Sequence, residues 1–293
     1  MKVIFSLMTG IMLLPLAYSG RVEAIMFNGI NFHSKSKSLI FRNYPEAPLE
    51  KEYSIKCHRY WPDKKTIEKL LAKSGNTSFV QWREKHPQYR SFLDETFLKN
   101  LKNAKLLYIG QYNEYSQKIF DAYPNEIKEF LSHGGVIFFD FLGGVYPELN
   151  KFLNAVNVKN PCSSWKTYKQ DFCSKIYQVE LNPACKNLPI LNQPWKIRKT
   201  KSHGWWTNWS DKQIVPFQNS KYPGKSAGMI IQENVVGHGK IIFNSIPCIF
   251  RAPIKGGNKK FLQNTLSYII GKNILDYKNE MLEEKGGPGK PVI

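Results

Sequence analysis

Two short, uninterrupted apolar runs limit the folds that this chain can adopt. Residues 105–110 and 136–140 each place apolar side chains at successive positions, which is typical of strands that are covered on both faces. A helical pattern over residues 115–132 separates the two runs, and His133-Gly134-Gly135 ends it as a helix commonly ends. Strand, helix and strand with short glycine-bearing joints predict neighbouring strands of a parallel α/β sheet.

The second half of the chain adds a different strand pairing. Apolar runs at residues 227–231 and 240–243 flank a glycine-containing turn, which predicts an antiparallel hairpin. A closing helix is expected at residues 258–270. The predicted fold class is therefore α/β, a flavodoxin-like or Rossmann-like parallel sheet with helices on both faces and a late β-hairpin. Residues 157–212 are rich in Cys and Trp and are predicted as an insert that leaves the sheet.

The N-terminal segment predicts export. Lys2 precedes an apolar stretch over residues 3–18, which is too short and too interrupted for a comfortable membrane span. Residues 1–24 are therefore predicted as a signal peptide, with cleavage after either Ser19 or Ala24, and an uncleaved anchor is the alternative. The expected location is secreted, periplasmic or in the cell envelope, with no membrane span after signal removal.

The domain limits follow from the same patterns. Residues 25–278 are predicted as one domain, in which the apolar runs of residues 25–60 form edge or entry strands, and residues 279–293 are predicted as a flexible tail. All five cysteines follow the signal, and export would permit disulfides. Cys162, Cys173 and Cys185 lie close enough in sequence to predict one local bridge. No pair has the short spacing of a zinc site, so no metal is expected.

The charge balance bears on partners rather than on fold. Lysine and arginine number 42 against 23 aspartates and glutamates, giving a formal net charge of +19. This excess makes a glycan or another polyanionic ligand a plausible partner. The positive charge is scattered and no nucleic-acid-binding motif is present, so no nucleic acid is expected. No cofactor motif is present either, and none is predicted.

Candidate site residues fall into two groups. Asp140 ends a buried strand at the edge where open α/β sheets bind ligands, and a structural capping role is the alternative. Residues 195–210 combine basic side chains with four Trp. There Trp205 and Trp206 are candidates for stacking on a ligand, although packing of the insert is the alternative. His203 is a weak candidate for acid/base chemistry with Asp140, and Arg251 could contact an anionic ligand.

Three segments resemble the class I glutamine amidotransferase-like superfamily. They are residues 106–110, residues 127–140 with their Gly-Gly before an apolar strand, and residues 229–244 with their Gly-His-Gly-Lys hairpin. Within that superfamily the chain is most similar to exported bacterial proteins of unknown function, and trehalose-utilisation-like proteins are a further similar branch. The resemblance covers roughly residues 50–272 and implies the same α/β fold.

The resemblance also implies where catalysis would lie. Family members with activity place a Cys nucleophile just after the strand that here ends at residue 139, and its His and Glu partners follow the late strand. This sequence has Asp140-Phe-Leu-Gly-Gly at the first position and no His or Glu at residues 244–248, although Cys248 lies there. A thiol without a base is a poor nucleophile. Glutaminase chemistry is therefore not expected.

Three classes of function follow. The first is an exported, non-catalytic module that binds a carbohydrate or another polar or anionic ligand. The second is a hydrolase that uses Asp140 and His203, which requires these two side chains to converge. The third is a structural or interaction protein of the cell envelope, which would present an exposed apolar surface.

Overall fold

The computed structural model describes residues 21–27, 30–33, 38–41, 46–61, 68, 72, 91–92, 95–110, 114–140, 146–161, 165–166, 179–188, 205–246 and 259–284. The predicted signal peptide lies outside these residues, apart from positions 21–24. No helix in the described ranges combines the length and the hydropathy that a membrane crossing needs.

The described strands lie in two sheets. In chain order they are β1 Glu23–Phe27, β2 Ile30–His33, β3 Ser38–Phe41, β4 Lys56–Trp61, β5 Ser91–Phe92, β6 Ala104–Ile109, β7 Val136–Asp140, β8 Trp165–Lys166, β9 Val179–Leu181, β10 Trp205–Trp206, β11 Ile214–Asn219, β12 Ala227–Gln232 and β13 Lys240–Asn244. β2 and β3 form a separate antiparallel pair. All the other strands belong to one large sheet.

The described helices are short to medium in length. They are α1 Glu46–Tyr53, α2 Glu95–Asn103, α3 Glu114–Ala122, α4 Pro124–Ser132, α5 Asn150–Ala155, α6 Lys259–Ile270 and α7 Ile274–Glu284. The predicted helix over residues 115–132 is divided into α3 and α4 at Tyr123. Pro124 begins α4, where a missing backbone N–H costs no helical hydrogen bond.

The main sheet has the strand order β5-β4-β1-β6-β7-β13-β12-β10-β8. The first six strands along this path are parallel to one another, namely β5, β4, β1, β6, β7 and β13. The order β4-β1-β6-β7-β13 is the flavodoxin-like order 2-1-3-4-5, so the predicted fold class is confirmed. The predicted neighbours β6 and β7 pair in parallel, with Leu106 opposite Val136 and Ile109 opposite Phe139. The predicted hairpin is the antiparallel pair β12–β13.

Helices cover both faces of the sheet, as predicted. Because side chains alternate along a strand, β6 sends Tyr108 to one face and Leu107 to the other. The first face packs against α1, α6 and α7, and the second against α2, α3, α4 and α5. Fully burying a Leu or Phe side chain contributes roughly 1.5–3 kcal/mol. The two apolar layers therefore explain why the central strands lack polar alternation.

The structure corrects two expectations about sheet position. β1, which was predicted as an edge or entry strand, lies in the interior of the sheet, because it pairs with β4 on one side and β6 on the other. Residues 157–212 do not leave the sheet throughout, because β10 pairs with β12, β8 with β10, and β9 with β11. These antiparallel additions extend the sheet beyond the late hairpin.

Two described elements extend across the predicted limits of the domain. β1 begins at Glu23, two residues before residue 25. α7 continues to Glu284 and buries Met281. The helix is held there because Tyr277 and Met281 pack into the core beside α1 and α6.

Candidate functional site

A buried polar cluster closes the carboxyl ends of the central strands. Asp140 is the last residue of β7 and is only 4% exposed. The Tyr108 hydroxyl donates to its Oδ2 at 2.6 Å, and Asn244 Nδ2 donates to its Oδ1 at 2.8 Å. Asp140 and Asn244 are paired in register across β7 and β13. The carboxylate thus joins three neighbouring strands, β6, β7 and β13.

The cluster continues into the turn after β13. Asn244 Nδ2 also donates to the Ile246 carbonyl, while Asn244 Oδ1 accepts from the Ile246 backbone N–H. Next to it, Ser245 donates to the Gly228 carbonyl from both its backbone N–H and its hydroxyl, each at 2.9 Å. Sequence analysis missed Tyr108 and Asn244. Their polar groups at the ends of otherwise apolar strands were the available indication.

This geometry indicates a structural role for Asp140. Each of its two oxygens accepts a hydrogen bond from a neighbouring strand. A buried carboxylate needs such partners, because an unpaired one is costly to bury. These bonds run to side chains of neighbouring strands, so they differ from the capping role that was the alternative in the sequence, and the residues that Asp140 would cap lie outside the described ones. The other acid/base candidate, His203, and the ligand candidate Arg251 lie outside the described residues, so the convergence of Asp140 and His203 remains a prediction.

Trp205 and Trp206 are core residues. Both are 0% exposed, and as consecutive residues of β10 they enter opposite apolar layers. The Trp205 ring lies against Gly228, where an added Cβ would be 3.1 Å from Cζ3. Trp206 meets Phe243 edge-on at 6.4 Å between ring centroids. The prediction that these indoles stack on a ligand is therefore wrong for this structure, because neither ring face is accessible.

A cleft lies at the opposite edge of the sheet. It has a volume of about 700 Å³ and lies between α2 and α4, beside the first residues of β6. Its floor is apolar and consists of Leu98, Leu101, Ala104 and Phe130. Its rim is polar and consists of Lys99, Lys102, Lys105, Glu126, Glu129 and His133. Ligand sites commonly have this size and this combination of apolar lining with a few polar groups.

The sequence positions these groups through helix periodicity. Lys99 and Lys102 are three residues apart on α2, and Glu126 and Glu129 are three apart on α4, so each pair shares one helix face. Lys105 follows directly where α2 passes into β6. Sequence analysis missed this cleft because the packing of α2 against α4 brings its two walls together.

Lys105 is the most enclosed cation of the rim. Its Nζ donates to the Gly134 carbonyl at 2.6 Å. Burial lowers its pKa, and the charge of Lys240 lowers it further. Lys240 begins β13, and burial likewise lowers its pKa, although Glu233 opposes that effect. Two partly buried ammonium groups thus lie near each other at this edge and favour negative charge beside them.

The charged side chains on the two walls of the cleft do not form ion pairs with each other. Among the ion pairs formed by the described residues, none includes Lys99, Lys102, Glu126 or Glu129. The described hydrogen bonds of His133 run back to the last turn of α4: its Nδ1 donates to the Glu129 carbonyl at 2.9 Å, and its backbone N–H donates to the same carbonyl at 3.1 Å. The cleft therefore presents separate basic and acidic walls above an apolar floor.

Of the three cysteines predicted to share one local bridge, only Cys185 is described, and it forms none. Cys185 has a free thiol that donates to the Val215 carbonyl, and burial raises its pKa. Cys57 is buried, and its thiol lies 3.8 Å from the Ile55 carbonyl oxygen. Cys162, Cys173 and Cys248 lie outside the described residues. In the ranges that the structure describes, no group of three or more His, Cys, Asp or Glu side chains is arranged to hold a metal ion.

The strand order and the two sheet edges define an α/β protein with flavodoxin-like topology. No model of a known protein family matches the chain, and no curated protein matches it. Among solved structures, it is similar to a ThuA-like protein from Bacteroides uniformis ATCC 8492. The two share 10% sequence identity over 87% of this chain and 95% of that chain, with a TM-score of 0.41.

Two structures of a GH42 β-galactosidase from G. stearothermophilus are also similar. A catalytic mutant shares 11% identity over 76% of this chain and 29% of that chain, with a TM-score of 0.30. A second structure shares 10% identity over 92% of this chain and 44% of that chain, with a TM-score of 0.29. This chain thus spans less than half of the β-galactosidase chains. Because all three TM-scores are below 0.5, the description of the fold rests on the strand order itself.

Proposed function

We propose that this chain is an exported, non-catalytic module with an amidotransferase-like sheet that binds a polar, anionic ligand, with an anionic glycan as the best fit. The observation that carries the proposal is the convergence of Lys99, Lys102 and Lys105 on one cleft of about 700 Å³. A net charge of +19 adds long-range attraction for such a ligand. The site lies at the amino ends of the strands rather than at the carboxyl ends expected from the sequence.

The non-catalytic part of the proposal is supported by Asp140. It stands where the resemblance implies a Cys nucleophile, and its oxygens accept hydrogen bonds from Tyr108 and Asn244. A general acid or base must instead reach a proton of the substrate. The expected result of incubating the purified full chain with glutamine is no release of ammonia above a heat-denatured control. Release that is lost on Cys248→Ala would contradict this part.

Binding can be tested by affinity electrophoresis. The full chain is run at low salt in native gels containing dextran, dextran sulfate or polygalacturonate. We expect retardation in the two anionic gels and none in neutral dextran. The retardation should fall as salt rises, because ions screen exposed charges beyond about 10 Å at 0.1 M. A chain that migrates freely in both anionic gels would overturn the proposal.

A matched pair of variants separates the cleft from general basicity. Lys99→Gln/Lys102→Gln removes two cations from the cleft, and Lys212→Gln/Lys225→Gln removes two exposed cations elsewhere. The overall charge changes equally in both. We expect a clear loss of retardation only in the first pair. Equal losses would assign binding to overall charge and would contradict a site in the cleft.

A further inference from the structure

The cationic cleft carries two acidic side chains that a site for simple polyanions would not need. Glu126 and Glu129 line the α4 side, while Lys99 and Lys102 line the α2 side. A carboxylate within a site for a polyanion repels it and weakens binding. The acidic wall therefore favours a ligand that carries hydrogen-bond donors as well as negative charge.

The acidic wall is open to such a molecule. The described ion pairs include Lys151 with Asp121 and Lys240 with Glu233, but none that joins the two walls of the cleft. Glu129 is exposed and Glu126 is half-buried. Because they lie three residues apart on a helix, neighbouring donors on one bound molecule can reach both carboxylates.

Two kinds of donor would suit these carboxylates: an ammonium group or hydroxyl groups. The charge of the protein favours hydroxyls, since a net charge of +19 repels a cationic group before it reaches the cleft. The floor formed by Leu98, Leu101 and Phe130 gives a second reason. A sugar ring combines hydroxyl groups at its edge with an apolar C–H face that can rest on such a floor.

We infer that the cleft between α2 and α4 binds an acidic saccharide unit. Lys99, Lys102 and Lys105 hold its carboxylate or sulfate, and Glu126 and Glu129 accept hydrogen bonds from its ring hydroxyls. The inference rests on the proposed function, because it assigns a ligand class to the same cleft. It adds that the glutamates favour binding, whereas in a site for polyanions alone they would oppose it.

The sign of a glutamate substitution tests this assignment. The full chain and its Glu126→Gln/Glu129→Gln variant are titrated calorimetrically with oligogalacturonate and with inorganic polyphosphate, which has no ring hydroxyls. The expected loss of affinity for oligogalacturonate is about tenfold, because charge-assisted hydrogen bonds become neutral ones. Affinity for polyphosphate should rise, since two repelling charges are removed. Glu283→Gln/Glu284→Gln on α7 is the matched control, with no such opposite change expected.

The outcomes separate this inference from the proposed function. Tighter binding of both probes by the Glu126→Gln/Glu129→Gln variant would overturn the saccharide assignment and leave anion binding intact. Preferential binding of an alternating Lys-Glu peptide over oligogalacturonate would also overturn it, in favour of a zwitterionic ligand. If the unaltered chain bound neither oligogalacturonate nor polyphosphate, the proposed function itself would fail. Thermal melting of each variant checks that it is folded before titration.

Discussion

Tyr108 donates its hydroxyl to Asp140 at 2.6 Å across the two central strands of the sheet. Tyr108 faces the same apolar layer as Phe138, and their rings stack at 5.9 Å between centroids. A polar contact is thus enclosed by the core at the carboxyl ends of β6 and β7. The consequence for stability can be measured.

Replacing Tyr108 by Phe should destabilise the protein by roughly 1–3 kcal/mol, because a buried acceptor loses a donor. Urea unfolding followed by Trp fluorescence gives this difference. Tyr123→Phe is the control, since the Tyr123 ring also packs in an aromatic cluster but its hydroxyl has no hydrogen bond among the described residues. Equal stability of the Tyr108 variant and the unaltered chain would show that the contact is not needed.

Trp205 should behave as a core residue. Trp205→Ala should lower the free energy of unfolding by about 3–5 kcal/mol, which is the usual effect of removing a buried Trp side chain. Trp209 is only partly buried, so Trp209→Ala should cost clearly less. Chemical denaturation of both variants provides the comparison. A Trp205 variant that is fully stable but no longer retarded by polygalacturonate would restore the stacking role that burial argues against.

Glu23 should make the fold sensitive to acid. Burial alone would raise its pKa, but hydrogen bonds and charges from Lys56 and His58 bring it below the usual 4.5. These partners lie 2.9 and 2.6 Å from its carboxylate. A lowered pKa in the folded state gives stability that is present above the unfolded pKa and is lost as pH falls through the folded pKa.

In the Glu23→Gln variant, the free energy of unfolding should therefore fall less steeply as the pH drops below about 4.5. At neutral pH the variant should be less stable by roughly 1–3 kcal/mol, because Lys56 and His58 lose a charged partner. Urea unfolding between about pH 3 and about pH 7 measures both effects, because this range runs from below the ordinary pKa of a carboxyl group to neutrality. Glu283→Gln, on the exposed side of α7, should leave the slope unchanged. An unaltered slope in the Glu23 variant would refute the coupling.

The contacts of Arg21 and Val22 favour one of the two cleavage positions expected from the sequence. Cleavage after Ala24 would remove Val22 and Glu23, yet Val22 is buried and its carbonyl accepts from the Lys56 backbone N–H. Arg21 also donates to the Ser54 carbonyl. We therefore expect an exporting host to release a chain that begins before Arg21, consistent with cleavage after Ser19. N-terminal sequencing of the secreted chain decides this, and a first residue of Ile25 would contradict it.

The sequence predicted the centre of the fold well. β6, β7, β12 and β13 are buried on both faces, so their apolar runs are continuous and easily recognised. β1 is equally buried, but its run is short and periodicity contains no information on which strands become neighbours. Its position next to β6 depends on a flavodoxin-like crossover of the chain.

The candidate site was harder to predict. A Trp-rich stretch has the same composition whether its indoles stack on a ligand or fill a core, and burial decides the question for Trp205 and Trp206. The cleft depends on Lys99 and Glu126, which are distant in sequence and meet only because α2 packs beside α4. Helix periodicity could have placed each charged pair on one face, but it could not have paired the two helices.

The backbone N–H of Val22 donates to the Tyr277 hydroxyl at 2.9 Å. This bond ties the start of an interior strand to a helix formed 255 positions later. Contacts between such distant positions close a large loop and slow the search for the native state. During synthesis the ribosome must therefore release Tyr277 before this bond can form, although β4 and β6, the neighbours of β1 in the sheet, emerge much earlier. Until then the apolar layer that Tyr277 and Met281 help to fill is exposed to aggregation.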